Sequence, residues 1–369
     1  MDVLSEVLRV VRLSGVVHFR AAFTSPWAIV SSTPDVLASR LKVAPGCVTP
    51  FHVVVDGPCW VSCGKLAPVR LETGDVMVIP RGDQHVMTSD VGLTPTPISE
   101  IYRQPTSDHI TEICHGGAGE TARFICGYLH SDHPFNPLLE SLPATIFVRL
   151  RDGAVTLDVQ GGETGADAPP VVRPHEAKWW QGALEYFIGE ATVPGPGNRA
   201  VLARLAELLF MEVVRWHLRY FSDGRRGWLA ALNDAQIGRA ITSLHAEPAR
   251  SWTVDELAHS VAMSRAAFAN RFVELVGEPP MQYLAGWRMH LARRMLRDTT
   301  LTIGAVAGRV GYESEAAFNR AFRRIVGTPP ATWRRTEAPA EKSGAEPPEH
   351  KRPLVSVQAP PLELAHANA

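Results

Sequence analysis

TVDELAHSVAMSRAAFANRFVELVGEPP, residues 253–280, and TIGAVAGRVGYESEAAFNRAFRRIVGTPP, residues 302–330, are two versions of one pattern, about 50 residues apart. In the first, Val254, Leu257, Ala258 and Val261 fall at i, i+3, i+4 and i+7, which lines one face of a helix. Ile303, Val306, Ala307 and Val310 repeat that spacing in the second. After a short polar break come Phe268, Phe272, Leu275 and Val276, matched by Phe318, Phe322, Ile325 and Val326. Both copies stop at a glycine followed by a Pro-Pro pair (Gly277, Pro279, Pro280; Gly327, Pro329, Pro330), residues that end a helix. Thr253 with Glu256 reads as a capping box, Ser264 and Ser314 as caps of the second helices, and Gly311 suits a left-handed turn between helices. Each copy is helix, turn, helix, stop, and the second is one residue longer in its turn.

The second helix of such a unit fits the major groove of DNA, with its N-terminal residues near base edges; a plain helical bundle is the other use of the pattern. With Phe268 and Phe318 inward, the outward positions are Ala266, Ala269, Asn270 and Val273 in one unit, and Ala316, Asn319, Arg320 and Arg323 in the other. Arg265 and Glu315 lead the two helices, where Arg pairs with guanine and Glu accepts from cytosine, while Asn270 and Asn319 suit adenine. Between the units, residues 281–298 interleave Arg288, Arg293, Arg294 and Arg297 with Leu284, Trp287, Leu291, Met295 and Leu296. As a helix this segment spans roughly 27 Å. That length suits two recognition helices about 34 Å apart in successive major grooves, with arginines such as Arg294 on phosphate. Residues 233–336 hold 14 Arg, no Lys and nine acidic residues, a net +5 against −1 for the whole chain. Charge segregated this way is what a phosphate-binding module needs, and it argues against a helical adaptor without DNA affinity.

Residues 233–335 resemble the DNA-binding domain of the AraC/XylS family of bacterial transcription regulators. The most specific part is GYESEAAFNRAFRRIVGTPPATWR, which follows the family's trailing signature. The resemblance implies groove-facing roles for Ala266, Ala269 and Asn270, and for Glu315, Ala316, Asn319 and Arg320. The family usually has Arg where this chain has Asn270, with Arg271 next, so the first unit is expected to read a different base or to hold it more weakly.

The chain has 369 residues, 45% apolar and 20% charged, an ordinary globular composition for two or three domains. No run of 18 apolar residues and no secretory leader is evident, so the cytoplasm is the expected compartment. Five cysteines (Cys47, Cys59, Cys63, Cys114, Cys126) without paired CxxC spacing point away from a disulfide framework or a structural zinc site. The first 150 residues carry short β-type runs such as FHVVVDG, CWVSCG and DVMVIP broken by Gly, Pro and Asp, which suggests a small barrel. GDVMVIPRGDQH, residues 74–85, fits the second motif of the cupin barrels in Gly74, Pro80, Gly82 and His85, with Ser89 where the motif has Asn. Residues 44–50 contain neither His nor Glu, so the first metal-binding motif is missing. His52 and His85 alone fall short of the three protein ligands of a catalytic metal, so no metal, no cofactor and no catalytic residue is expected.

His52, Trp60 and His85 are left as candidates for lining an effector pocket in the barrel mouth, or as packed barrel residues. The AraC resemblance implies such an effector-binding barrel, and the opening LSEVLRVVRLSG with FTSPW looks like the subfamily with a cupin-type sensor. Cys114, beside His115, and Cys126 are candidates for redox sensing, or are buried and inert. The Gly, Asp and Pro-rich residues 151–174 read as a linker, and 176–189 and 198–221 as helices striped by Trp179, Trp180, Leu184 and Phe187 and by Leu202, Leu205, Leu209, Val213, Trp216 and Tyr220. Those stripes serve packing on the barrel or a dimer interface. SDGRRG, residues 222–227, reads as a hinge, and the tail from 337 as disordered.

The expectation is an α+β multidomain chain: a cupin-like β-barrel sensor (1–150), a linker and helical connector (151–232), an all-α double helix-turn-helix reader (233–336) and a tail (337–369). The expected function is sequence-specific regulation of transcription, modulated by a small-molecule effector or by redox at the barrel. The partners are double-stranded operator DNA and that effector, with RNA polymerase and a homodimer partner as further candidates. A cupin enzyme fused to a nucleic-acid module is the alternative.

Overall fold

The structure is a computed structural model. It describes residues 13–41, 43, 46–102, 110–131, 137–161, 169–193, 195–221 and 227–337. Most of the opening segment, Ala44 and Pro45, residues 222–226 of the hinge and nearly all of the tail lie outside those residues.

The N-terminal part is two facing sheets. The larger is ordered β12-β11-β6-β3-β10-β1-β9, from Ala154–Gln160 (β12), Thr145–Arg151 (β11), Val76–Val78 (β6), Val48–Asp56 (β3), Thr121–Ser131 (β10), Leu13–Thr24 (β1) and Thr111–Gly116 (β9). The smaller is β5-β4-β7-β2-β8, from Val69–Leu71 (β5), Cys59–Cys63 (β4), His85–Thr88 (β7), Ala28–Val30 (β2) and Thr96–Pro97 (β8). Strand β3 shows no in–out alternation: its first seven residues are all buried. The reason is that both its faces are covered. Val54 joins the core between the sheets, with Phe23, Trp27, Met77 and Phe124, while Phe51 and Val53 join the core under the connector helices. Gly127, opposite Phe51 on β10, is required by that packing, since a Cβ there would stand 2.4 Å from the Phe51 ring.

The barrel does not end at 150. β11 and β12 pair from Thr145↔Gln160 to Arg151↔Ala154, and Asp152 and Gly153 both take positive φ, 50° and 75°. Asp-Gly at a left-handed two-residue turn is a hairpin signal rather than a linker, so the boundaries at 150 and 151 are corrected by a full strand. At its base, buried Asp75 receives two guanidinium hydrogen bonds from Arg151, one of them 2.8 Å long.

Short helices Pro34–Leu41 (α1), Ile98–Ile101 (α2) and Pro137–Ser141 (α3) decorate the barrel. The connector is Pro174–Thr192 (α4) and Asn198–Phe221 (α5). Trp180, Leu184 and Phe187 of α4 are buried with Leu202, Leu209, Val213 and Trp216 of α5 against the barrel, whereas Trp179 is 39% exposed. Gly15 of β1 lets α5 approach closely: a Cβ there would meet the Ala203 carbonyl at 2.6 Å. Packing on the barrel is thus the job of the buried stripes.

The reader begins at Trp228, five residues before the expected boundary, because Trp228, Leu229 and Ala231 of Trp228–Asn233 (α6) are buried in the same core as the first helix-turn-helix. Then follow Ile237–Ala246 (α7), Val254–Ser260 (α8), Arg265–Val276 (α9), Pro280–Asp298 (α10), Ile303–Arg309 (α11), Glu315–Val326 (α12) and Pro330–Glu337 (α13). Thr253 and Glu256 form the capping box, Ser264 and Ser314 accept from the third helical N–H, and Gly277 and Gly327 close α9 and α12 in the left-handed region. Gly311 has φ 84°; its counterpart Ala262 adopts φ 56°.

One continuous apolar core runs from Val17 and Phe51 of the barrel through Trp180 and Trp216 of the connector to Trp228, Phe268 and Tyr283 of the first helix-turn-helix. The second unit has its own core around Met289, Leu296, Phe318, Phe322 and Trp333. Among the described residues no helix is long and apolar enough to cross a membrane.

Candidate DNA interface and sensor cavity

The two recognition helices, α9 and α12, have the same framework and different electrostatics. Phe268 and Phe272, and Phe318 and Phe322, are fully buried, which turns the remaining positions outward. On α9, Arg265, Ala266 and Asn270 are exposed, Ala269 is half-buried, and Val273 is 41% exposed. Its cations are already engaged: Arg265 pairs with Asp255 at 3.2 Å, and Arg271 with Asp234 at 3.2 Å and Glu274 at 3.3 Å. On α12, Arg320, Arg323 and Arg324 are exposed and form no ion pair among the described residues. Glu315 and Ala316 are exposed at the leading end, and a Glu315 carboxylate oxygen lies 2.9 Å from where a Cβ on Gly304 would stand. Asn319 is half-buried, and its Oδ1 is covered without a hydrogen-bond partner among the described residues. Arg294, on α10, pairs with Asp298 one turn later at 3.8 Å.

Surface ion pairs are weak, typically below about 1 kcal/mol, so Arg265 and Arg271 can still meet phosphate. They must first give up a carboxylate, however, and the three α12 arginines need not.

The second site lies between the sheets. A cavity of about 440 Å³ is lined by both histidines, His52 and His85, together with Cys126, His18, Tyr102 and Tyr128, and on its apolar side by Phe19, Phe23, Ile29, Met87 and Ile98. Trp60 is not part of it: on β4 the buried positions are Cys59, Val61 and Cys63, so Trp60 falls on the outward face.

Strand register explains the cluster. His52 is opposite Cys126 on neighbouring β3 and β10, and His85 begins β7 of the facing sheet. His52 Nδ1 lies 3.0 Å from Cys126 Sγ, His52 Nε2 lies 2.9 Å from His85 Nε2, and His85 Nδ1 lies 3.1 Å from the Asp83 carbonyl. A carbonyl only accepts, so His85 carries its proton on Nδ1 and accepts at Nε2; His52 then donates from Nε2 and accepts at Nδ1 from the Cys126 thiol. One backbone carbonyl fixes the whole chain. Burial keeps it neutral, lowering His85 to about 4 and His52 well below its ordinary value, and pushing the Cys126 thiol up.

The sequence flagged Cys126 as a redox candidate and missed its place beside His52, because a contact between residues 74 apart is set by register rather than by local pattern. Cys114 is exposed, on β9, with β1 between it and β10. Two strand spacings are roughly 10 Å, beyond the Cα separation of a disulfide. Tyr102, His18 and Arg40 of the cavity wall carried no signal in the sequence. Among the described residues no group of three or more His, Cys, Asp or Glu is arranged to hold a metal ion.

Comparison with known proteins gives two family matches: cupin over residues 2–169 and 166–219, and a helix-turn-helix domain over 257–336. An AraC-like transcription regulator of Streptomyces antibioticus is 31% identical over 344 residues, covering 92% of this chain and 100% of that one. The HTH-type transcriptional regulator AlkR of Acinetobacter baylyi is 27% identical over 341 residues, 90% of this chain and 99% of that one. The DNA-binding domain of AdpA, solved with a target DNA, is 32% identical and covers 27% of this chain and 89% of that one, with a TM-score of 0.26.

Proposed function

This chain belongs to the AraC-like transcription regulators, with a cupin domain ahead of the DNA-binding helix-turn-helix region, and from that premise we propose how its two parts work together. The barrel cavity binds a small, mainly apolar effector, and its occupancy shifts how the first helix-turn-helix is held relative to the second. Recognition helices α9 and α12 enter successive major grooves, with Arg320 and Asn319 reading bases and Arg323 and Arg324 on phosphate. The observation that carries this reading is the continuous core from barrel to first reader unit beside the separate core of the second. A change in barrel packing then acts on one reader and leaves the other free, provided the effector binds one arrangement better than the other.

The contact between the parts is specific. Gly227, φ 113°, donates its N–H to the Leu275 carbonyl at the end of α9 (2.8 Å), and its Cα faces Ser141 of α3, where an added Cβ would lie 3.3 Å from the serine's own. A second copy of the chain and RNA polymerase are further partners in this reading, and no catalytic role is assigned to the barrel.

The test is fluorescence anisotropy of the full-length protein on DNA upstream of its own gene and on random duplex, at two salt concentrations, with and without apolar compounds that raise its melting temperature. Preference for the native DNA, a steep salt slope and a shift in affinity with such a compound are expected. Compounds that stabilise the protein yet leave DNA affinity unchanged would sink the coupling.

A further inference from the structure

We propose that Cys126 is a nucleophile toward electrophilic effectors: its thiol, with His52 as base, adds to the β-carbon of an apolar α,β-unsaturated ketone or aldehyde held in the barrel cavity. This rests on reading the cavity as an effector site. Three observations support it independently. Cys126 Sγ and His52 Nδ1 are 3.0 Å apart, and His52 is itself oriented by His85 at 2.9 Å, which is the nucleophile, base and orienting group of an activated thiol. The three side chains open onto a cavity of about 440 Å³ whose wall includes Phe19, Phe23 and Met87, so the molecule that reaches them is organic and apolar. The phenol oxygen of Tyr102, in the same wall, is buried without a hydrogen-bond partner among the described residues. A buried donor in want of an acceptor points to a ligand that supplies one.

The chemistry closes on these groups. The Sγ lone pair forms the S–C bond at the β-carbon, the C=C π pair moves toward the carbonyl oxygen, and the thiol proton passes to His52 Nδ1. The resulting enolate oxygen accepts from Tyr102, and its α-carbon takes the proton back from His52. Thiol and alkene are consumed, a thioether is formed, and no oxidant or further reactant is needed. At rest burial holds the thiol protonated. Deprotonation belongs to the moment when an electrophile is already seated.

The experiment uses two probes of one shape, 4-phenylbut-3-en-2-one and its saturated counterpart 4-phenylbutan-2-one, with the full-length protein, intact-mass spectrometry, peptide mapping and thermal melting. Expected are a gain of one unsaturated probe, mapped to Cys126 ahead of exposed Cys114, none at this site in Cys126→Ser, and labelling slowed about 100-fold in His52→Gln. The saturated ketone should raise the melting temperature and slow labelling of the unaltered protein in proportion to its occupancy, a readout that depends on no variant. If the saturated ketone binds but Cys126 gains no mass, or Cys114 is labelled first, the nucleophile is overturned while the cavity reading stands. If neither probe stabilises the protein and no adduct forms, the nucleophile falls, and the cavity reading falls for ligands of this class.

Discussion

Trp228 donates its indole N–H to the hydroxyl of Tyr283 across 2.7 Å, tying the first helix of the reader to the long central helix α10. The same hydroxyl lies 2.7 Å from His245 Nε2, and burial lowers that histidine to about 3, so the imidazole in this hydrogen bond is neutral. Tyr283→Phe removes both bonds and leaves Trp228 and His245 with lost partners in a buried setting. A loss of about 2–4 kcal/mol is expected, read as a lower urea midpoint at constant slope. A midpoint within error of the parent would mean that water replaces the hydroxyl.

Acid should weaken the fold before it titrates the carboxylates. An unfolded chain protonates His85 near 6.5, while the folded one does so only near 4. Between those values the unfolded state binds more protons, so stability rises with pH across the window and is lost on acidification. His85 alone contributes about 2 kcal/mol of that loss by pH 5. Denaturant midpoints at pH 7 and pH 5 for the parent and His85→Gln should show a smaller drop in the variant; equal drops would place the titration elsewhere.

The two recognition helices should differ in salt dependence. Arg320→Ala is expected to reduce specific affinity by about 1–3 kcal/mol and to relax selectivity at one base pair. Arg323→Ala should lower the slope of log K against log salt by about one. Arg265→Ala, whose charge Asp255 already engages at 3.2 Å, should change that slope less. Anisotropy titrations at three salt concentrations separate these outcomes, and equal slopes for the Arg265 and Arg323 variants would refute the asymmetry.

Gly227 lies at φ 113° and ψ 163°, a region nearly closed to side chains, and faces Ser141 of the barrel. Gly227→Ala should cost about 1–3 kcal/mol and alter DNA affinity of the full-length protein, since strain there is shared by sensor and reader. Unchanged DNA binding in a measurably destabilised variant would show that the contact holds the fold without carrying a signal.

Chemical shifts of the histidine rings offer a direct view of the barrel chain. With the Asp83 carbonyl accepting from His85 Nδ1, His85 should show the Nδ1–H tautomer and His52 the Nε2–H tautomer at pH 7. The reverse assignment would break the bond to the Asp83 carbonyl and reverse the two that run from His85 through His52 to Cys126.

The sequence by itself determined the reader. Its helices carry their periodicity, caps and stops locally, so Thr253, Ser264, Gly277 and their counterparts could be placed without knowing any distant contact. Two edges are not legible in local pattern: Asp152-Gly153 turns a hairpin rather than opening a linker, and Trp228 is buried ahead of the expected start of the reader. Tertiary structure decided the rest. Which residues meet in the barrel depends on register between strands far apart in the chain, and a shift of one residue on β10 would turn Cys126 away from His52. The exposure of Trp179, the displacement of Trp60 from the cavity and the carboxylates that engage Arg265 and Arg271 are likewise settled by what packs opposite each side chain. Local pattern fixes helices because their bonds close within four residues; pockets and charge pairs form between segments that only the folded chain brings together.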